Sequence, residues 1–235
     1  MNTIFSIIRN QNFIENKQLE VYINSLIKLD NNFKVVIVNS TPVELNLQHE
    51  QIETLNLGST TSDLNIFGLI QRYLNHIQVE KNDYIIVCDV EKILFTRNPF
   101  SYLKHFDKDI YFYSTKHISN ESNQKKSDFE NFVKTCNYYL GNDFDAFSIE
   151  SNFFAGKNQA FKALLLSLFF EVNRNSAHQI TTQAVLSYVY KHFFNLFDGL
   201  MLNNQFIKIV GNYEAAESIL DDELNSKKQY VLINP

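Results

Sequence analysis

Two carboxylates leave the best strand in this sequence. Tyr84 to Cys88 is fully apolar and β-prone, Asp89 stands at its end, and Glu91 follows two residues later. Ligands of open α/β sheets sit just beyond the carboxyl ends of the strands. Two acids at such an end suit a hard divalent cation, because Mg²⁺ and Mn²⁺ prefer oxygen ligands and share their shell with substrate phosphates. A cation there would neutralise a diphosphate leaving group as a Lewis acid. An isolated Asp-x-Glu usually does no more than end a strand. Here the apolar run Ile93 to Phe95 follows at once, and Asn98-Pro99-Phe100 closes the unit.

The elements around this segment must carry it. Thr3 to Ile8 reads as a buried first strand, and Phe13 to Leu29 places Leu19, Tyr22, Ile23, Leu26 and Ile27 at helical spacing. Lys34 to Val38 is continuous and β-branched, as expected of a strand covered on both faces. This βαβ opening predicts a parallel sheet. Gln51 to Leu57 is a third strand, and a helix capped by Ser62 or Asp63 follows. Pro99 to His105 is a short helix and Asp109 to Ser114 a strand. Ser119 to Asp128 is polar and reads as a surface loop. Later come a strand over Ala146 to Glu150, helices over Asn158 to Asn173 and Ala177 to Phe194, and short strands over Gln205 to Val210 and Tyr230 to Ile233.

Across Asp83 to Phe100 the sequence resembles the GT-A superfamily of nucleotide-sugar-dependent glycosyltransferases. Their signature is an apolar strand, an Asp-x-Asp motif, an apolar return and often Asn-Pro-Phe or Asp-Pro-Phe. The resemblance is weaker but ordered over the βαβ opening and over Asn152 to Ser187. It implies an α/β fold of GT-A (Rossmann-like) type, with a mostly parallel central sheet flanked by helices and a more helical C-terminal part. The whole of 1–235 then forms one domain, with 1–114 the nucleotide-binding half and 115–235 facing the acceptor. It further implies transfer of a sugar from a UDP- or GDP-sugar to a glycan or other hydroxyl acceptor, assisted by Mn²⁺ or Mg²⁺ on Asp89 and Glu91.

The same resemblance assigns further residues. Asp89, Val90 and Glu91 meet the donor, while Arg9 and Asn10, after the first strand, hold base and ribose. Arg72, on the helix before the acids, reaches the diphosphate. Ser151 to Lys157 matches a small-residue loop beside the donor sugar, with Ala155 and Gly156 letting the backbone approach a ligand and Asn152 suited to a hydroxyl. Thr182 and Gln183 match the pair that opens a late helix and faces the reacting sugar, with Thr182 where the family usually has an acid. Glu150, Asp145 and Asp143 are the nearest replacement carboxylates. Glu91 stands for the usual Asp, and no His occurs between Lys228 and Pro235.

Composition narrows the field. The net charge is −5, from 21 basic and 26 acidic residues that are interspersed, and no basic stripe marks a nucleic-acid binder. Two cysteines, Cys88 in an apolar run and Cys136 in an amphipathic one, read as small buried hydrophobes, give no thiolate metal pattern and suit a reducing compartment. The longest apolar runs are too short to span a bilayer, so a soluble cytoplasmic protein is expected. A Gly-x-Gly-x-x-Gly turn, a phosphate loop and a Gly-x-Ser-x-Gly elbow are missing. An inactive nucleotide-sugar-binding protein of the same fold stays open as an alternative. A sugar nucleotidyltransferase is less favoured, because Ser6 to Asn12 lacks glycine.

Overall fold

The apolar runs near the N-terminus do become adjacent strands. In this computed structural model the described residues are 1–15, 17–29, 32–59, 63–114, 129–136, 149–174, 182–193, 198–202, 207–209 and 231–233. The chain runs β1 (Asn2–Ile8), α1 (Gln11–Glu15), α2 (Gln18–Ile27), β2 (Phe33–Asn39), β3 (Ile52–Asn56), α3 (Asp63–His76), β4 (Tyr84–Asp89), β5 (Ile93–Phe95), α4 (Pro99–Phe106) and β6 (Ile110–Ser114). A helix over 129–135, α5, follows. Then come β7 (Ile149–Lys157), α6 (Asn158–Arg174), α7 (Thr182–Phe193), β8 (Gly199–Leu202), β9 (Ile207–Ile209) and β10 (Val231–Ile233).

Seven strands form one sheet in the order β3-β2-β1-β4-β7-β6-β8. The pairs β1–β2, β2–β3, β1–β4 and β6–β8 are parallel, while β7 is antiparallel to both β4 and β6. Six strands therefore share one direction and β7 alone reverses it. This is a mixed α/β fold with a mostly parallel sheet flanked by helices. A second, three-stranded sheet, β5-β10-β9, joins β5 antiparallel to β10.

Both faces of the large sheet are covered, which is why its strands read as unbroken apolar runs rather than alternating ones. On one face Ile4, Val35, Ile86 and Phe153 pack against Leu19, Tyr22 and Leu26 of α2, Ile93 to Phe95 of β5, and Phe100 and Leu103 of α4. On the other, Phe5, Val36, Val87 and Phe154 pack against Phe67 and Ile70 of α3, Phe129 and Phe132 of α5, Phe161 and Leu165 of α6, and Val185 of α7.

The single early helix expected over Phe13 to Leu29 is two. Lys17 takes a left-handed conformation (φ 60°) between α1 and α2 and turns the chain. Asn98-Pro99-Phe100 is a helix start: the Asn98 side chain accepts the Phe100 N–H at 3.0 Å, Pro99 occupies the first turn, and Phe100 is buried against Phe33. The loop expected over Ser119 to Asp128 lies outside the described residues.

Candidate functional site at the carboxyl edge of the sheet

From β1 the chain crosses to β2 on one side, and from β3 it crosses back over the sheet to β4 on the other. The gap between the carboxyl ends of β1 and β4 is thus the topological switch point, where open α/β sheets bind ligands. Asp89 ends β4, and its C=O accepts the Lys92 N–H at 3.0 Å, closing a tight turn over Val90 and Glu91. That turn brings Glu91 back over β1. Its Oε1 accepts the backbone N–H of Arg9 at 3.0 Å and of Asn10 at 2.7 Å. The Arg9 Nε donates to Asp89 Oδ1 at 3.4 Å. Arg9, Asp89 and Glu91 are half-buried and Asn10 is exposed. The structure so brings together four residues that sequence reasoning named.

Asn152 joins them from β7. The β4–β7 register ends at Cys88 opposite Phe153, and one further step places Asn152 across from Asp89. Its Oδ1 is buried and has no hydrogen-bond partner. A buried unpaired acceptor normally costs stability, and a ligand hydroxyl above Asp89 would satisfy it. Glu150 belongs to the same end of β7 by its backbone, beyond the last β4 pairing. Its side chain, like Asp143 and Asp145, lies outside the described residues.

Other assigned residues sit differently. Val90 is fully buried in the core, because the turn points its side chain inward and its N–H goes to Ile7 O at 3.0 Å. The segment expected to be a small-residue loop is the strand β7. Ala155 pairs with Ile86 and Gly156 with Ile85, inside the ladder. At about 3.3 Å per strand position, Gly156 is roughly 13 Å from the level of Asp89. Its missing side chain serves packing: a Cβ there would meet Asp109 O at 2.7 Å. Arg72 is exposed on α3, the helix that runs back from the carboxyl edge. Nine residues of helix rise set it roughly 13 Å below the helix start, away from the acids. Thr182 and Gln183 are the half-buried first residues of α7, which packs on β7.

Asn39, Ser40 and Thr41, buried at the end of β2, were missed in the sequence. Ser40 donates to Ile8 O through both N–H (3.0 Å) and Oγ (2.7 Å), and Asn39 Oδ1 accepts from Thr41. They form the rigid floor beside Arg9. Three polar residues directly after an apolar strand were the available signal.

Below the acids, Ser6 Oγ and Tyr22 OH are 2.7 Å apart, and Tyr22 OH lies 3.5 Å from Cys88 Sγ. Burial pushes the Cys88 thiol up to about 12, so it stays neutral and is no nucleophile. A separate cleft of about 570 Å³ opens at the outer edge of β3, lined by Lys34, Leu45, Glu50 and Thr54 among others. Three strand spacings, roughly 14 Å, separate β3 from β4. That cleft is not the acid site.

No helix among the described residues is long and apolar enough to cross a membrane. No protein-family model matches this sequence, and no curated protein matches it either.

Proposed function

We propose that this protein is a glycosyltransferase of GT-A type, carrying a sugar from a UDP- or GDP-linked donor to a glycan or other hydroxyl acceptor. The observation that supports it best is the Arg9–Asp89 contact at the switch point of an open, mostly parallel sheet, with Asn152 one register step beyond the last β4–β7 pair. In this reading the diphosphate lies over the ends of β1 and β4. Arg9 offers charge-assisted bonds to its oxygens, Asp89 orients Arg9 and reaches the ribose, and Asn152 Oδ1 accepts from a donor-sugar hydroxyl. Glu150, Thr182 and Gln183 stand on the acceptor side. Rate enhancement comes from positioning and from charge neutralisation on the leaving diphosphate.

A binding protein of the same fold without turnover is the second reading. It is favoured by Thr182, which opens α7 without a carboxylate where the resemblance calls for an acid. One experiment separates the two. The protein is mixed with UDP- and GDP-sugars and candidate acceptors, and both thermal shift and nucleotide release are measured. A shift with release supports the transferase, and a shift without release supports the binding protein. No shift with any nucleotide sinks both.

A further inference from the structure

We propose that Glu91 is a positioning residue, which clamps the turn after β1 and holds Arg9 in place so that the site neutralises a diphosphate with a guanidinium instead of a divalent cation. The inference rests on the donor reading above for its ligand, but the clamp itself stands on geometry alone.

The resemblance gives Asp89 and Glu91 to a shared metal ion, and their partners do not fit one. Glu91 Oε1 receives two successive backbone amides, Arg9 at 3.0 Å and Asn10 at 2.7 Å. Successive amides converging on one anion form a concave anion-binding nest, and here the anion is supplied by the chain itself, 81 and 82 residues further on. Asp89 Oδ1 faces the Arg9 Nε at 3.4 Å. Each carboxylate is thus met by positive donors, two amide dipoles at one and a guanidinium at the other. A cation between them would face these donors at close range.

Glu in place of Asp acquires a reason from this geometry. The longer side chain spans from the β4 turn back across to the amides beyond β1, which gives the clamp its reach. Arg9 is then held by its backbone through Glu91 and by its side chain through Asp89. A guanidinium held in this way is a planar fork suited to phosphate oxygens.

The test compares E91Q with E91A. Glutamine keeps an acceptor oxygen for both amides but loses the charge that a metal ligand needs. Binding of UDP and GDP is measured by calorimetry in EDTA and in Mn²⁺, and hydrogen exchange is followed at the Arg9 and Asn10 amides. Wild-type affinity should agree within about twofold between EDTA and Mn²⁺. E91A should weaken binding by about tenfold, as expected for a lost charge-assisted clamp. E91Q should recover most of that loss and keep slow exchange, while E91A exchanges faster. Binding that appears only with Mn²⁺, or E91Q as damaged as E91A, would overturn the proposal. If no nucleoside diphosphate binds at all, the donor reading fails separately. Exchange and Mn²⁺ titration without nucleotide then still decide: unchanged exchange in E91A, or Mn²⁺ binding abolished by E91Q, overturns the clamp.

Discussion

Acids gather at both ends of β4, and they are held by different partners. At the amino end, Asp83 pairs with the Met1 ammonium, Lys157 Nζ bridges Asp107 at 3.1 Å and Asp109 at 3.4 Å, and Lys108 meets Asp198 at 2.9 Å. Hydrogen bonds from Lys157 and then Tyr84 hold Asp107 below the ordinary carboxylate range. These are ammonium–carboxylate pairs at a rim, from lysines and the N-terminus, each worth little in water. At the carboxyl end, Asp89 and Glu91 meet a guanidinium and the backbone just beyond a neighbouring strand. The number of carboxylates therefore does not mark the site. Strand direction and the kind of donor do, since among the described residues the amino end is richer in acids and has no switch point.

The comparison can be broken first by substituting one acid at each end. Asp89→Ala is expected to weaken nucleoside diphosphate binding by tenfold to about a hundredfold, the range for losing a hydrogen bond to a charged group. Asp107→Ala is expected to leave it unchanged by the same calorimetry. Equal losses would show that the two ends do not differ in function. Next in size is Gly156→Ala, which forces a Cβ against Asp109 O at the amino end. It should cost about 1–3 kcal/mol of stability and lower the melting temperature by roughly 2–4 °C per kcal/mol. Affinity of the folded protein should not change. A loss of affinity without a loss of stability would return Gly156 to the site.

The smallest effect concerns a third acid, Glu53 on the edge strand β3. Burial alone would raise its pKa, but hydrogen bonds from Lys34 and Tyr73 outweigh it and hold Glu53 below its ordinary 4.5. For Lys34, burial is likewise outweighed, by hydrogen bonds to Glu53 and Tyr73, so it lies above 10.5. A lowered acid stabilises the fold above its unfolded pKa and loses that contribution as pH falls through the folded one. A raised lysine does the reverse at the alkaline side. The pair is therefore at full strength between 4.5 and 10.5. Denaturant titrations of Glu53→Gln should show less acid destabilisation below 4.5, by under about 1 kcal/mol because the pair is partly in water. An unchanged acid limb would mean that the pair contributes nothing.

The sequence spoke clearly where a residue's type fixes its neighbours locally. Thr3 to Ile8, Lys34 to Val38 and Tyr84 to Cys88 could only be buried strands, and Asp89 had to end one. Pro99 marked the start of α4 through its fixed φ. Long-range pairing was not legible. Ile93 to Phe95 is a strand because β10 lies against it, and Ser151 to Lys157 is a strand because β4 and β6 flank it; without those partners both read as return or loop. The same holds in the site. Asp89, Glu91, Arg9 and Asn10 were each visible, but that Glu91 answers the Arg9 and Asn10 amides depends on a contact across the sheet that no local pattern encodes.

The small sheet has a consequence for how the protein is made. Val231 to Ile233 pair with Phe95 to Ile93, the strand that leaves the acidic turn. Translation delivers β1, β2 and β4 long before β10. On a ribosome the parallel sheet can assemble early, but β5 waits for its partner until residue 233 has been made. The acidic turn is then tethered on one side only until β10 arrives. Protease protection of residues 87–95, followed in stalled chains of increasing length, should rise only once residue 233 has left the exit tunnel.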